Sequence, residues 1–219
     1  MTLYIVATPI GNLEDISFRA VNALKEADLI LAEDTRRTKI LLNKYGINTH
    51  ADSFNDHNKE RKTPGIIQQL KQGRKIAIVS DSGTPGISDP GFYLVRECVQ
   101  NGLDVIPIPG ACAFLSALVA SGLATDRFTF YGFLPKKSGR KKEILGQIKS
   151  RAETAILYES PYRLLKTLED ITESMPLRQI VVARELTKKF EEFARGAAEE
   201  VYEKLKDRKI KGEIVLVIG

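Results

Sequence analysis

The stretch KIAIVSDSGTPGISDPG (75–91) joins a short aliphatic run to a loop of glycine, proline and small polar residues. An aliphatic run that stops at such a cluster is typical of a buried strand followed by a turn. Three further runs have this character: LYIVA (3–7), DLILAE (28–33) and DVIPI (104–108). Because amphipathic helical patterns separate them, the sequence predicts crossover units and a mostly parallel sheet in an α/β fold.

Cap and turn residues delimit the helices between these strands. Thr63 and Pro64 have the pattern of an N-cap followed by proline at the first helical position. Gly46, Gly73 and Gly102 stand where helices are expected to stop, because glycine readily adopts the left-handed conformation that ends a helix. In the last predicted helix of this half, one face carries three apolar side chains that we assign to the core: Phe92, Val95 and Val99.

The second half alternates in the same way after a helix of small residues, ACAFLSALVASG (111–122). Its expected elements are strands near 128–134, 154–158, 179–184 and 213–218 and helices near 139–150, 161–174 and 197–206. The sequence therefore predicts two α/β lobes, residues 1–112 and 113–219, with a ligand cleft between them.

Composition excludes several classes of protein. With 43% hydrophobic and 28% charged residues among 219, the chain is neither collagen-like, disulfide-rich nor disordered. No apolar run approaches the roughly 18 to 20 residues of a membrane span, and no signal peptide is recognised, so neither export nor membrane insertion is expected. Cys98 and Cys112 are too few for a disulfide framework and lack metal-knuckle spacing, which predicts reduced thiols and no metal site.

The net charge of +5 arises in the second half of the chain. Residues 1–110 hold 13 basic and 13 acidic side chains, whereas residues 111–219 hold 20 and 15. This asymmetry favours a polyanionic partner, and a solvated lysine-rich surface is the alternative.

Three loops follow predicted strands of the first half: TPIGN (8–12), DSGTPGISDPG (81–91) and PIPGACAF (107–114). Parallel α/β sheets bind ligands outside the carboxyl ends of their strands, so the loops are expected to converge on one crevice. Four glycines in them permit positive φ angles or close backbone approach, namely Gly11, Gly83, Gly86 and Gly110. Plain tight turns are the alternative.

The loop sequences also indicate the chemistry of the ligand. Neither the G-x-x-x-x-G-K-[ST] phosphate loop nor the G-x-G-x-x-G dinucleotide fingerprint is present. The acidic DSGTPGISD stretch (81–89) would repel phosphates, whereas it suits amino groups, hydroxyl groups or a cation. A ligand with a nucleoside and a positive centre therefore fits better than a polyphosphate.

Eight motifs along the chain, taken in combination, resemble one family. They are VATPIGNLEDISFRA (6–20), AEDTRRT (32–38), SDSGTPGISDPG (80–91), PIPGACAFLSAL (107–118), GFLPKK (132–137), YESPYRL (158–164), ARELTKKFEE (183–192) and GEIVLVIG (212–219). This combination is similar to the ribosomal RNA small-subunit methyltransferase I family of the tetrapyrrole methylase superfamily. The resemblance covers essentially the whole chain.

The resemblance implies an enzyme that uses S-adenosyl-L-methionine to methylate the ribose 2′-oxygen of a cytidine in the decoding region of 16S rRNA. It also implies a cytoplasmic homodimer that acts on the small ribosomal subunit and involves no membrane. The implied fold has a first α/β lobe with a mostly parallel sheet and a second with a mixed sheet. Family members usually carry a further small C-terminal domain, which this sequence, ending after GEIVLVIG, does not include.

The resemblance places cofactor contacts on the first glycine-containing loop, the loop after residue 80, the junction near residue 112 and two later segments. The residues concerned are Ile10, Gly11, Ser82, Gly83, Thr84, Ile87, Cys112, Ala113, Tyr158, Glu159 and Leu186. Turn formation or core packing is the alternative role for each of them.

The AEDTRRT motif ends a predicted strand and supplies the candidate catalytic residues, Asp34, Arg36 and Arg37. Arginine pairs bind phosphate in a bidentate manner, and a carboxylate at a strand end, Glu33 or Asp34, would act as base or hold an arginine in place. The Lys-Asp-Lys-Glu arrangement of some unrelated ribose methyltransferases is not recognised, so the catalytic base stays undecided. A helix first turn with an Asp–Arg surface pair is the alternative.

Two further segments are candidates for RNA contact. The KKSGRKK run would pair with phosphates and make binding salt-dependent. Its basic residues are Lys136, Lys137, Arg140, Lys141 and Lys142. The run lacks the stacked aromatic residues of single-strand binders, which argues against a sequence-reading surface there. His57 and Asn58 lie in a polar segment and are candidates for ribose or base contact, and a solvated surface is the alternative for both segments.

Two rival functions make different predictions about the loops. A methylase of a small tetrapyrrole would carry G-x-G-P-G after the first strand, and TPIGN does not match this pattern. A catalytically silent RNA-binding relative would have degenerate cofactor loops, whereas these loops are intact. The sequence therefore favours the rRNA methyltransferase.

Overall fold

The computed structural model describes residues 1–89 and 91–219. The chain forms two compact units, Met1–Cys112 and Ala113–Gly219. Each unit is built around its own five-stranded sheet. The two units are referred to below as the first and the second unit.

The first unit alternates strands and helices. Its elements are β1 (Thr2–Val6), a 3-10 turn (Leu13–Asp15), α1 (Phe18–Glu26), β2 (Leu29–Ala32), α2 (Thr35–Lys44), β3 (Ala51–Ser53), α3 (Lys59–Lys71), β4 (Lys75–Val79), α4 (Gly91–Gln100) and β5 (Asp104–Ile108). The strand order is β3-β2-β4-β1-β5 and every pairing is parallel. The predicted parallel sheet is thereby confirmed.

Both faces of the three central strands β1, β2 and β4 are largely buried, which explains why these strands are nearly continuous aliphatic runs. On one face, Leu3 of β1 packs with Leu70 of α3 and Leu94 of α4. On the opposite face, Val6 of the same strand packs with Leu24 of α1. Each such side chain contributes roughly 1.5 to 3 kcal/mol when it is fully buried, so this sheet is a firm base for the loops at its edge.

The second unit contains a mixed sheet, as predicted. Its elements are α5 (Ala113–Val119), β6 (Phe128–Phe133), α6 (Ser138–Ser150), β7 (Thr154–Glu159), α7 (Leu164–Ser174), β8 (Gln179–Arg184), β9 (Glu192–Ala197), α8 (Ala198–Leu205) and β10 (Ile214–Ile218). The strand order is β6-β7-β10-β8-β9. β6 pairs with β7 in parallel, and the other three pairings are antiparallel.

A buried polar network holds α6 and α7 to the end of β7. Lys141 Nζ lies 2.6 Å from Asp170 Oδ2, and both side chains are 9% exposed. The same ammonium donates to Thr167 Oγ1 at 3.1 Å, and that hydroxyl donates to Glu159 Oε2 at 2.7 Å. Because these groups satisfy one another away from water, they fix the start of α6 in one position.

The predicted helix ends are confirmed, but one predicted helix start is wrong. Gly46, Gly73 and Gly102 follow helices with φ angles of 60°, 91° and 65°. Helix α3, however, begins at Lys59 and contains Pro64 in its second turn. Thr63 does not cap it, because its hydroxyl donates to the Lys59 carbonyl at 2.7 Å within the helix.

The predicted core face of α4 is wrong for two of its three residues. Phe92 and Val99 are 65% and 63% exposed, and Val95 alone packs partly against the core. The buried face is carried by Gly91, Leu94 and Cys98, which have the same helical spacing. Periodicity alone does not distinguish two apolar stripes that lie about 100° apart on one helix.

Replacing Lys141 tests the buried ion pair. Lys141→Ala leaves the Asp170 carboxylate buried without its nearest cation, so we expect the free energy of unfolding to fall by about 3 kcal/mol. Urea denaturation at pH 7 measures this loss. The control is Lys142→Ala, whose side chain is exposed and which should change stability by less than about 0.5 kcal/mol.

The stability difference between these two variants should depend on pH. Burial raises the pKa of Asp170, but the hydrogen bonds and charges of Lys141 and Lys166 outweigh burial and lower it below its ordinary value. The stabilisation is therefore complete above the unfolded pKa of about 3.9 and is lost as the pH falls through the lower folded pKa. Equal stability of the two variants at pH 7 would contradict the anchoring role of Lys141.

Candidate functional site

Three loops of the first unit are joined by backbone hydrogen bonds at the carboxyl ends of the parallel strands. β1 lies between β4 and β5, so its loop is flanked by theirs. The Thr8 N–H donates to the Gly83 carbonyl at 2.8 Å, and the Gly83 N–H donates back to the Thr8 carbonyl at 3.0 Å. On the other side, the Ala7 N–H donates to the Ile108 carbonyl at 3.2 Å. Residues 7–12, 80–89 and 108–112 are called the loop cluster below.

Side chains and close backbone contacts complete the loop cluster. Gly83 has a φ of +80°, and a Cβ placed on it would lie 3.5 Å from Ile10 Cγ2 and 3.6 Å from the Ala111 carbonyl oxygen. The Thr84 hydroxyl donates to that carbonyl at 3.3 Å. A Cβ on Gly110 would lie 2.9 Å from the Cβ of Ala7, so glycine permits the approach of the third loop. The structure therefore brings together Ile10, Gly83 and Thr84.

The remaining part of the second loop folds around Asp89. Its Oδ1 accepts bonds from the Gly86 N–H at 2.7 Å and the Gly91 N–H at 2.9 Å. Pro90, which the sequence places in this loop, lies outside the described residues. Three predicted cofactor residues are exposed at the surface of the loop cluster: Gly11, Ser82 and Ile87. Cys112 is partly buried at the end of the first unit, and Ala113 begins α5 of the second.

Asp34 is engaged at the start of α2. Its Oδ1 accepts bonds from the Arg36 backbone N–H at 2.9 Å and from Arg36 Nε at 3.0 Å, and its Oδ2 accepts from Nη2 at 2.7 Å. The side-chain bond from Arg36, followed by the backbone bond, lowers the pKa of Asp34 to about 2. Such an acidic carboxyl is a poor proton acceptor at neutral pH. Asp34 thus caps α2 and holds Arg36 in place, one of the two roles left open for a carboxylate at this strand end. Its part in catalysis stays a prediction.

The neighbouring carboxylates Asp81 and Glu33 differ in their partners. Asp81 accepts a bond from the Asp34 backbone N–H at 3.0 Å and pairs with Arg37 at 3.3 Å. Glu33 is partly buried, has no ion pair within the described residues, and accepts a long bond of 3.5 Å from the Asp81 N–H. Burial, then the charge of Asp81, raises the pKa of Glu33. The surroundings of Glu33 therefore favour taking up a proton, whereas those of Asp34 oppose it.

The segment after β3 contains His57 and Asn58. The Asn58 amide donates to the Ser53 carbonyl at 3.3 Å, and its Oδ1 accepts from the Asn55 N–H at 2.9 Å. Asn58 therefore holds its own loop in shape. His57 is exposed, and its backbone N–H donates to Asn55 Oδ1 at 3.1 Å.

In the second unit, three predicted cofactor residues lie at one edge of the mixed sheet. Glu159 at the end of β7 and Arg184 at the end of β8 both pair with Ile214 of β10. The chain therefore leaves β7 and β8 at the same end of the sheet, with Tyr158 just before one exit and Leu186 just after the other. The Glu159 carboxylate is completely buried: it accepts bonds from Thr167 and from the Ser160 N–H at 2.8 Å. Its oxygens are therefore engaged in hydrogen bonds with other residues of the second unit. Leu186 is buried, whereas Tyr158 is partly exposed.

The basic run separates into exposed and buried members. Exposed side chains belong to Lys136, Lys137, Arg140 and Lys142. The prediction that Lys141 contacts RNA is wrong, because this lysine is only 7% exposed and its ammonium is bound to Asp170 and Thr167. A residue at the first turn of α6 can face inward while both of its neighbours face solvent.

One group of residues in the second unit was not predicted from the sequence, a row of aromatic side chains on α5, β6 and β7. The signal for it is FTFYGF (128–133), in which a glycine interrupts a strand pattern and so indicates a bulge. Within residues 1–89 and 91–219, no group of three or more His, Cys, Asp or Glu side chains could hold a metal ion. In the same ranges, no helix has both the length and the apolar character that crossing a membrane requires.

Comparison with known proteins places the chain in a family. The family described as Tetrapyrrole (Corrin/Porphyrin) Methylases matches residues 2–202. The uroporphyrin-III C-methyl transferase of Thermus thermophilus complexed with S-adenyl homocysteine has a TM-score of 0.68 at 16% identity, over 100% of this chain and 97% of that one. At this identity the similarity concerns the fold alone.

Two relatives are much more similar in sequence. The ribosomal RNA small subunit methyltransferase I of Halalkalibacterium halodurans is 51% identical over 217 residues, which cover 99% of this chain and 75% of the relative. The protein of the same name from Bacillus subtilis is 50% identical over 216 residues, which cover 99% and 74%. The chain therefore belongs to the tetrapyrrole methylase family and, within it, to the ribosomal RNA small subunit methyltransferase I family.

Proposed function

We propose that the chain transfers a methyl group from S-adenosyl-L-methionine to the ribose 2′-oxygen of a cytidine in the decoding region of 16S rRNA, with the small ribosomal subunit as its partner. Relatives 51% and 50% identical to it are named as rRNA methyltransferases. A protein of the same fold is complexed with S-adenyl homocysteine. The 2′-oxygen and the cytidine rest on the resemblance of the eight motifs. The structural observation that supports the proposal most strongly is the joining of the three strand-end loops into one loop cluster.

The residues of the loop cluster fit this cofactor. A Cβ on Gly83 would already contact Ile10 and the Ala111 carbonyl, so a larger side chain there would crowd the surface at which the loops meet. Two carboxylates of the loop cluster, Asp81 and Asp89, lie near Glu33, because the charges of both raise its pKa. They favour a ligand with a positive centre over a polyphosphate. When bound, S-adenosyl-L-methionine supplies an electrophilic methyl group on a sulfonium.

We assign Glu33 as the general base that accepts the proton of the ribose hydroxyl. A ribose hydroxyl must lose its proton as its oxygen is methylated, and a positioned base of raised pKa suits that step. Glu33 directly follows β2, which pairs with β4, and its carboxylate accepts a long bond from the N–H of Asp81, a residue of the loop cluster. Neither Arg36 nor Arg37 pairs with it in the described part of the chain. Its carboxylate is therefore available to take the proton from the hydroxyl.

Arg37 is better placed than Arg36 to hold an RNA phosphate. The Arg36 guanidinium is already bound to both oxygens of Asp34. Arg37 makes one long contact of 3.3 Å with Asp81, and 66% of its side chain is exposed. An incoming phosphate can replace that contact at little cost, because exposed ion pairs contribute at most about 1 kcal/mol.

The proposed reaction is tested by transfer of labelled methyl groups from S-adenosyl-L-methionine to unmethylated small ribosomal subunits. We expect one modified nucleotide, a cytidine of the decoding region, and resistance of the adjacent phosphodiester bond to alkaline cleavage, which requires a free 2′-hydroxyl. Label on a base, or on another nucleotide, would contradict the proposal.

Substitution of Gly83 tests the cofactor site. Gly83→Leu places a branched side chain between Ile10 and Ala111 and forces a non-glycine residue to a φ of +80°. We expect calorimetric binding of S-adenosylhomocysteine to be lost. The control is Gly146→Leu on α6, where a Cβ would meet no atom within 4 Å. A folded Gly83→Leu variant with unchanged affinity would remove the loop cluster from the cofactor site.

Comparison of two neighbouring carboxylates tests the base. Glu33→Gln should lower the transfer rate at saturating RNA and cofactor by about 100-fold or more, the contribution of a general base. Asp34→Asn should keep that rate within a few-fold, because Arg36 already occupies both oxygens of that carboxylate. In the wild-type chain, the rate should fall as the pH drops through the raised pKa of Glu33, above the range near 4.3 that is ordinary for glutamate.

Folding provides the control for the base assignment. Glu33→Gln removes a partly buried charge, so its melting temperature should not lie below that of the wild-type chain. A correctly folded Glu33→Gln variant with full activity would show that another group accepts the proton.

A further inference from the structure

Five aromatic side chains of the second unit form a continuous row on one face of its sheet. In order, they are Phe128, Phe114, Phe130, Tyr158 and Phe133. Phe114 and Phe130 stack with ring centroids 4.5 Å apart, and Phe130 meets Tyr158 edge to face at 4.9 Å. Phe133 follows at 5.6 Å from Tyr158. We call this set the aromatic row.

A β-bulge places Phe133 in the row. In a regular strand, residues three apart such as Phe130 and Phe133 point to opposite faces. In β6 the pairing with β7 shifts between Phe130 and Gly132, and Gly132 has a φ of +64°. Tyr131 packs against the core, as the neighbour of Phe130 would in any strand, and the extra residue returns Phe133 to the face of Phe130. Bulges that redirect a side chain in this way are common beside functional sites.

The outer end of the aromatic row is open. Phe133 is 57% exposed, although Tyr158 contacts it on one side. A single exposed phenylalanine is ordinary on a protein surface. A ring that is oriented by a bulge and supported by a neighbouring ring is different, because it offers a fixed π-face at little cost in side-chain entropy.

Two cationic side chains come shortly after Phe133 in the sequence. Lys136 and Lys137 are exposed, and neither forms an ion pair within the described residues. The backbone just before them is anchored, because Arg163 Nη2 donates to the Leu134 carbonyl at 2.8 Å and to the Pro135 carbonyl at 3.3 Å. Lys141 anchors the helix that follows them. The two lysines therefore stand on a fixed backbone beside Phe133.

We propose that Phe133 and the exposed lysines 136 and 137 form a stacking platform for an unpaired segment of the rRNA substrate. Phe133 stacks on a nucleobase, and Lys136 and Lys137 contact the flanking phosphates, the combination typical of single-strand binders. The inference rests on the proposed function for the presence of RNA. The cofactor's adenine is a poorer occupant, because S-adenosyl-L-methionine has no phosphate and its sulfonium would be repelled by two lysines.

The test uses a fluorescent single-stranded RNA of the decoding-region sequence and follows its anisotropy with the full chain saturated with S-adenosylhomocysteine. Phe133→Leu keeps an apolar side chain without a π-face, and we expect it to weaken binding on the order of tenfold with an unchanged salt dependence. Phe133→Trp should bind as tightly as the wild-type chain. A double variant, Lys136→Gln with Lys137→Gln, should instead make the salt dependence shallower.

Two controls show whether the effect is specific to this ring and to RNA. Phe190→Leu alters a phenylalanine of the same unit that is 65% exposed and lies next to a lysine, and it should bind RNA normally. Calorimetric affinity for S-adenosylhomocysteine should be the same in Phe133→Leu and wild type. A lower cofactor affinity with unchanged RNA binding would assign the ring to the adenine and overturn the platform.

The platform also fails if Phe133→Leu binds RNA as the wild-type chain does, or if the wild-type chain does not bind the single strand. Methyl transfer to small subunits distinguishes this failure from failure of the proposed function. Wild-type transfer with normal RNA binding by Phe133→Leu would refute the platform alone. Absence of transfer by the wild-type chain would refute the proposed function.

Discussion

The paired backbone hydrogen bonds between Thr8 and Gly83 are the constraint on which the candidate site depends. They join the loop after β1 to the loop after β4 with N···O distances of 2.8 and 3.0 Å. The sheet beneath fixes where these loops start, since both faces of its central strands are largely buried. Glycine is favoured at position 83 because the φ of +80° is one that residues with a side chain rarely adopt. Two turns are thereby converted into one preorganised surface, which lowers the entropy cost of binding a ligand.

The sequence predicts the three interior strands of each sheet and one of its two edge strands. β1, β2 and β4 are aliphatic runs because helices cover them on both faces. The two strands that were not predicted, β3 (Ala51–Ser53) and β9 (Glu192–Ala197), are edge strands. An edge strand has one pairing partner and is partly solvated, so it does not need an aliphatic run. Backbone pairing with β2 and β8 defines these strands, and no property of their own side chains indicates it.

Residue type identifies the candidates for the site, but only packing decides what each of them does. Lys141 and Lys142 are adjacent and identical in type, yet one is buried in an ion pair and the other is exposed. Glu33 and Asp34 are likewise adjacent carboxylates, and the pKa of one is raised by burial while that of the other is lowered by Arg36. Lys141 faces inward because of its position in the first turn of α6, and Asp34 binds Arg36 because it caps α2. The direction in which a single side chain points is not encoded in the pattern of charges along the sequence.

Hydrogen exchange of the full chain, with and without S-adenosylhomocysteine, tests most directly whether the loop cluster acts as one cofactor-binding surface. We expect the ligand to slow exchange together in residues 7–12, 80–89 and 108–112, with the Thr8 and Gly83 amides among the protected groups, while helix α8 is unaffected. Protection confined to one of the three loops, or found only outside the loop cluster, would contradict this expectation.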